Sequence, residues 1–468
     1  MELETQLHTI FLLVGPSNCG KTYFCQNFLI TQLSQFNVQY LSSDDIRCKI
    51  LNQPSIDKYD NQMLKASVQA FDILYNYLDN VTQFPINCHF AIVDTTGLRA
   101  SFREKIYQIA NKNHYNVELI VFNYGKEDKI TMEDNETMRN VIKKHHDVFK
   151  RETLKDLRKE QKKCHYIKAP ISNLKLTIKD QDLYQKTKLN PNSQYLIIGD
   201  VHECIDEVKT LLTNYGFKIE NNQIQDNDNK TEIIFVGDLI DKGSKTKETI
   251  EFFYSNRARF KIVRGNHDHA IKKLLMGTYT NNDPKFIETC YTSYKSFDDE
   301  LARKFLEIEA GMMPYYHYQN EESRSFYVTH APCGYKYVGK HSSHALKRQQ
   351  YMFLDRSRNQ KPSDIIEIQD NSYNMPYLVS GHFAFKSEYY KNNRILIDTG
   401  CISGNKLTAV LLGYQIKSPR FFSVKFANKQ PKFDDELQYF DQSKPRQIEN
   451  TSNRKAINKL SDEKVVNK

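Results

Sequence analysis

The sequence predicts two α/β domains in tandem, on three observations. Apolar runs of strand length recur along the chain, separated by helix-length amphipathic segments. Most of these runs end in turns that carry glycine, acids or histidines. And 468 residues exceed what one ordinary hydrophobic core holds.

Composition bounds the setting. A hydrophobic fraction of 39% and a charged fraction of 26% describe a water-exposed globular surface. No apolar run approaches the roughly 18 residues of a membrane span. The amino terminus, MELETQLHTIFLLVG, is acidic and lacks the basic start and cleavage site of a secretory leader. Nine scattered cysteines without a CxxC pair point to a reducing, cytoplasmic interior, a nuclear one being open too. The net charge of +9 permits a polyanionic partner without requiring one.

The first domain is expected over residues 1–160. HTIFLLVG reads as a buried strand and KTYFCQNFLITQL as a helix. VQYLSSDD and HFAIVDTTG are strands ending in acids, and VELIVFNYG is a fourth strand. Strands alternating with helices predict a parallel sheet with its ligand beyond the carboxyl ends of the strands. Between the first strand and helix lies GPSNCGKT, which satisfies GxxxxGK[ST]. Glycines let the backbone wrap phosphates, and amides supply positive potential. Gly15, Ser17 and Gly20 form the cradle, Lys21 reaches the terminal phosphates, and Thr22 takes Mg²⁺. Asp94 stands where such proteins keep a second acid near Mg²⁺. In SSDDIR, a carboxylate at a strand end can take the proton of an attacking hydroxyl, and Arg47 can hold a phosphate on the acceptor. A solvated turn capping the next helix is the other reading. A cation over the transferring phosphoryl is also needed, and Arg139 is the candidate, with a surface role as its alternative. His145 and His146 read as residues of a charged helix.

Residues 161–193 read as a connector with some structure of its own. The second domain is expected over 194–428, with strands YLIIGD, EIIFVGD, FKIVRGN, SFYVTHA, YLVSGH and ILIDTG. Each of these six ends in a turn carrying Asp, Asn or His. Asp200 and His202 can bind one metal, Asp238 can bridge two, and Asn266, His330 and His382 can complete the second. Oxygen and imidazole donors suit Mn²⁺, Ni²⁺, Fe or Zn²⁺. Two metals ~3.5–4 Å apart would activate a hydroxide and clamp a phosphoryl group. His267 and Asp241 can form a general-acid pair, Lys242 supplies a phosphate-binding cation, and Arg264 adds to it. Asp398 belongs at the site edge. Residues 429–468 are Lys-, Asn- and Gln-rich and expected to be disordered.

The chain resembles the bacterial polynucleotide kinase-phosphatases, enzymes that heal RNA ends. GPSNCGKT, SSDDIR and VDTTG stand in the order of that family's 5′-hydroxyl kinase module. The second half is similar to its calcineurin-type metallophosphoesterase module. The resemblance implies an α/β fold: a P-loop kinase domain with a parallel sheet, then an αββα sandwich. It makes Asp44 the general base, with Arg47 on the acceptor phosphate. It implies ATP or another NTP with Mg²⁺ in one site, two divalent metals (Mn²⁺ foremost) in the other, and RNA or DNA ends as substrates. The family's ligase-like third domain is not expected here, so a separate RNA ligase would seal the healed ends. Lys242 departs from the arginine common in the family's GDxxDRG turn. The rival expectations are a small-molecule kinase fused to a nucleotide or protein phosphatase, and a non-catalytic nucleotide sensor. RNA against DNA, native metal and oligomeric state stay open.

Overall fold

In the computed structural model, residues 1–53, 65–123, 136–169, 171–225, 230–279, 290, 293–351, 375–391 and 393–427 are described. The terminal segment 429–468, expected to be disordered, lies outside them.

The first sheet has five parallel strands in the order Val38–Ser42, Phe90–Asp94, Thr9–Val14, Asn116–Phe122, Lys163–Ile167. TIFLLV in the middle is buried at every position, as a strand covered on both faces must be. Register then does functional work: Ser42 lies beside Asp94, so the two acid-bearing strand ends meet beside the glycine loop that leaves Val14. Lys163–Ile167 forms the sheet edge, and Lys175–Ile178 pairs with Glu2–Thr5 near the amino terminus. Much of the segment read as a connector is therefore built into the first domain. The structure expected within it is strand pairing to the first domain.

The second domain is a sandwich of two five-stranded sheets. One runs Phe260–Ile262, Thr231–Phe235, Gln194–Ile198, Lys406–Gly413, Arg420–Lys425. The other runs Tyr315–Tyr318, Phe326–Thr329, Tyr377–Ser380, Arg394–Leu396, Tyr389–Lys391. Ile197, Ile234, Val236, Tyr316, Val328, Val379 and Val410 interdigitate between them. Helices Ile205–Tyr215, Thr246–Ser255, Asn266–Leu275 and Asp299–Gly311 cover the outer face of the first sheet through Val208, Leu212, Phe253, Ile271 and Phe305.

The outer face of the second sheet is packed partly against the first domain. Phe84 meets Tyr327 and Tyr335, and Tyr184 stacks on His317 at 5.2 Å. His341 joins Asp180 at 2.6 Å and Tyr315 Oη at 2.9 Å. On the first domain this seam runs past His8, His89 and Asn113, at the amino ends of the parallel strands. The glycine loop sits at the other end of the sheet.

Candidate functional sites

The glycine loop leaves the strand Thr9–Val14 and enters helical turns at Lys21–Phe24, Cys25–Leu29 and Ile30–Gln32. Gly20 has φ +82°, a left-handed conformation that a side chain would strain. Lys21 Nζ donates to the carbonyls of Gly15 at 3.2 Å and Pro16 at 2.7 Å, so the amine is folded back over its own loop. Thr22 Oγ1 donates to Asp94 Oδ2 at 2.7 Å, and Tyr40 Oη donates to the same oxygen at 2.6 Å. The Thr22–Asp94 pair expected to hold Mg²⁺ is thus assembled, and Tyr40, which sequence reasoning missed, steadies it.

Ser42 caps the helix Ser43–Ile50 by accepting from the Asp45 amide at 3.2 Å. That cap sets Asp44 and Asp45 in the first turn. Arg47 pairs with Asp44 at 2.5 Å, donates from Nε to Ser67 Oγ at 3.2 Å, and lies over the Phe71 ring at 5.5 Å. Asp44 stays 44% exposed to solvent.

Arg139 lies on the helix Glu136–Val148. That helix touches the glycine loop through His145, whose Nδ1 is 2.8 Å from Ser17 Oγ. His145 lies on the charged helix where the sequence put it, and this contact gives it a partner in the glycine loop. Nothing in the local sequence announced it, because the two residues are 128 positions apart.

In the second domain the six expected ligands converge. His202 Nε2 and His330 Nε2 lie 3.5 and 3.4 Å from Asp238 Oδ2. Asn266 Oδ1 is 2.8 Å from His330 Nε2 and 2.9 Å from His382 Nδ1, and those two nitrogens are 3.1 Å apart. Asp200 closes the group by accepting from the His382 amide at 3.0 Å.

This donor set fits divalent cations. His202 Nδ1 faces the carbonyls of Ile240 and Asp241 at 3.3 and 3.1 Å, and His330 Nδ1 faces that of Val236 at 2.9 Å. With Nδ1–H donating outward to these carbonyls, each Nε2 would be left to bind a cation. Burial pushes the Asp200 carboxyl well above the usual range, and Asp398 adds to it. Gathering such like charges in a dry pocket is costly unless a cation offsets them.

The backbone is bent to make this site. His202, Asp238, Asp241, Lys242 and His382 all have positive φ, between 42° and 79°. Such conformations cost of order 1–3 kcal/mol each and gather at functional sites. Gly381 is required too, since a Cβ there would stand 1.8 Å from Asp200 Oδ1.

Beside the ligands, His267 Nδ1 is 2.5 Å from Asp241 Oδ2. Burial would raise Asp241, but His267 and the bonds from Ser293 and Cys290 together outweigh it and hold the carboxyl at about 2. Ser293 Oγ donates to the other oxygen at 2.8 Å, and Cys290 Sγ lies 3.3 Å from Oδ2. Lys242 Nζ donates to His202 Nε2 at 2.9 Å. Arg264, read as a second phosphate cation, is ion-paired with buried Glu309 at 2.8 Å. Sequence reasoning also missed Asp268, which accepts from the amides of Leu239 and Gly265 and so ties two ligand loops together. Burial, with the Asp238 charge next, lifts its carboxyl to about 7.

Fold and sites define a chain that joins a P-loop kinase-like domain to a metallophosphoesterase domain. Residues 10–162 match the family model of an AAA domain, and residues 194–396 that of the calcineurin-like phosphoesterases. The first family implies an NTP with Mg²⁺, and the second implies divalent metals. The chain is similar to the asymmetrical bis(5′-nucleosyl)-tetraphosphatase PrpE of Oceanobacillus iheyensis, 28% identical over 50% of this chain and 92% of that protein. The PrpE of Bacillus subtilis is 26% identical over 46% of this chain and 88% of its own length. Among solved structures, a cold-active protein-tyrosine phosphatase of Shewanella covers 53% of this chain and 84% of its own, at 14% identity and TM-score 0.31. Shikimate kinase from Acinetobacter baumannii covers 36% and 85%, at 17% identity and TM-score 0.25. The domain assignment rests on the strand orders and the two family models. Among the described residues, no helix is long and apolar enough to cross a membrane.

Proposed function

We propose that this chain is a bifunctional nucleic-acid end-healing enzyme. It transfers a phosphoryl group from an NTP to 5′-hydroxyl ends, and it removes 2′,3′-cyclic or terminal phosphates in its second site. RNA ends are the favoured substrates, with a separate ligase sealing the product. The observation that carries the reading is the Asp44–Arg47 pair at 2.5 Å, at a strand end beside the glycine loop. An acceptor that bears its own phosphate needs both a base and a cation there.

In the first site Lys21 steers the terminal phosphates, and Thr22 and Asp94 would hold Mg²⁺. Asp44 takes the proton of the attacking hydroxyl while Arg47 holds the neighbouring phosphate. Arg139 is the proposed lid cation. In the second site Asp200, His202, Asp238, Asn266, His330 and His382 would hold two divalent cations, Mn²⁺ foremost. Such a pair supplies a nucleophilic hydroxide and neutralises phosphoryl charge. Asp241 orients His267, which donates a proton from Nε2 to the leaving oxygen. Lys242 supplies positive charge for the phosphate. A cytoplasmic setting is proposed because no disulfide joins the cysteines.

A second reading has support in the similarity to the PrpE tetraphosphatases: the phosphoesterase domain would cleave a dinucleoside polyphosphate. One experiment separates them. The full chain is incubated with ATP, Mn²⁺ and an RNA bearing 5′-hydroxyl and 2′,3′-cyclic phosphate ends, and in parallel with diadenosine tetraphosphate. Conversion of both RNA ends supports end healing. Unchanged RNA with cleaved tetraphosphate overturns it.

A further inference from the structure

The helix Glu136–Val148 is anchored to the body of its domain. Ile142 and Phe149 are buried, and Thr153, just beyond, donates to the Leu98 carbonyl at 3.0 Å. Arg103 and Glu160 then fix the following turns with an ion pair at 2.5 Å. So held, the helix presents His145 to the glycine loop, Nδ1 to Ser17 Oγ at 2.8 Å.

Among the described residues, the charges that act most on that imidazole are cations. Burial, then Lys21 of the loop helix, Lys144 of its own helix and Arg99 of the turn after Phe90–Asp94, hold His145 below its usual pKa. Lys21 Nζ is bonded to the loop carbonyls of Gly15 and Pro16. Cations converging on one concave loop repel each other until a polyanion enters.

We propose that His145 is a ligand of the nucleotide phosphates, neutral while bonded to Ser17 and charged when the triphosphate is bound. On binding, the imidazole takes one proton from the buffer, leaves Ser17, and donates to a phosphate oxygen. The phosphate charge that now faces Lys21, Lys144 and Arg99 is what makes the second proton favourable. Ser17 is freed to turn its hydroxyl to the phosphates. This rests on reading the loop as a nucleotide site.

The test is calorimetric titration of the full chain with the Mg²⁺ complex of the β,γ-imido analogue of ATP. Two buffers of different ionisation enthalpy are used at pH 7.5. The wild-type chain is expected to take up a measurable part of a proton per nucleotide bound. His145→Asn keeps a donor for Ser17 but cannot charge. It should lose that uptake and bind roughly tenfold more weakly, as the loss of one charge-assisted hydrogen bond implies. Melting of both proteins without nucleotide checks that the fold is kept, and His145→Gln serves in its place if Asn unfolds the helix. Wild-type binding without proton uptake, or a variant that binds as tightly as wild type, overturns the proposal. No binding by the wild-type chain overturns the nucleotide reading itself, which is a distinguishable result.

Discussion

Lys340 of the phosphoesterase domain donates from Nζ to the Thr82 carbonyl of the kinase-like domain at 3.1 Å, across 258 positions of sequence. It also reaches the Asn113 carbonyl and lies 4.7 Å from the centre of the Tyr115 ring. A fully buried amine plugged into the carbonyls of another domain locks the two together. Burial lowers its pKa to about 7. Lys340→Ala leaves two carbonyls unpaired and should lower stability by about 1–3 kcal/mol. Urea unfolding followed by fluorescence checks this, and an unchanged midpoint would remove Lys340 from the account of the seam.

Acid should loosen the same seam. Burial is the first cause that lowers His89 and His114 to about 4 and His317 to about 3. The unfolded histidines titrate near 6.5. Between the two values the unfolded chain binds more protons, so these residues' contribution is present above about 6.5 and is lost as pH falls towards 4. Each kcal/mol lost lowers the melting temperature by roughly 2–4 °C. His317→Phe keeps a ring on Tyr184 and removes one titrating group, so its melting temperature should fall less over this range. An equal fall would sink the assignment.

The two sites should fail separately. Asp238→Ala removes the carboxylate that faces both His202 and His330, and should cost the phosphoesterase more than about a hundredfold. ATP-dependent phosphorylation should persist in that variant. Asp44→Ala should do the reverse. EDTA followed by added Mn²⁺ should abolish and then restore phosphate release. Product analysis on one doubly labelled RNA reads all three.

The Asp241–His267 pair makes a leaving-group prediction. Asp241→Asn should slow cleavage of an alkyl phosphate ester by about 10²–10⁴-fold, because alkoxide needs a proton. An aryl phosphate such as p-nitrophenyl phosphate leaves without one and should suffer much less. Equal losses on both esters would show that Asp241 serves metal binding instead.

Gly381→Ala should eliminate phosphoesterase activity without disturbing ATP binding, since its Cβ would collide with Asp200. Metal content after dialysis and the calorimetric heat of nucleotide binding check the two halves of the statement.

What the sequence determined by itself was the inventory. A buried apolar strand before GPSNCGKT makes a phosphate loop, and strand ends bearing Asp200, Asp238, Asn266, His330 and His382 make a donor set. Both follow from local chain chemistry, because each motif's residues stand at the same end of neighbouring strands. Tertiary structure decided what those motifs touch. It joined Lys163–Ile167 to the first sheet, committed Arg264 to Glu309, set His145 on Ser17, and plugged Lys340 into the other domain. The physical reason is separation: these contacts link residues far apart in the chain, where no periodicity or spacing carries a signal. Only the packing of helices and sheets brings them within reach.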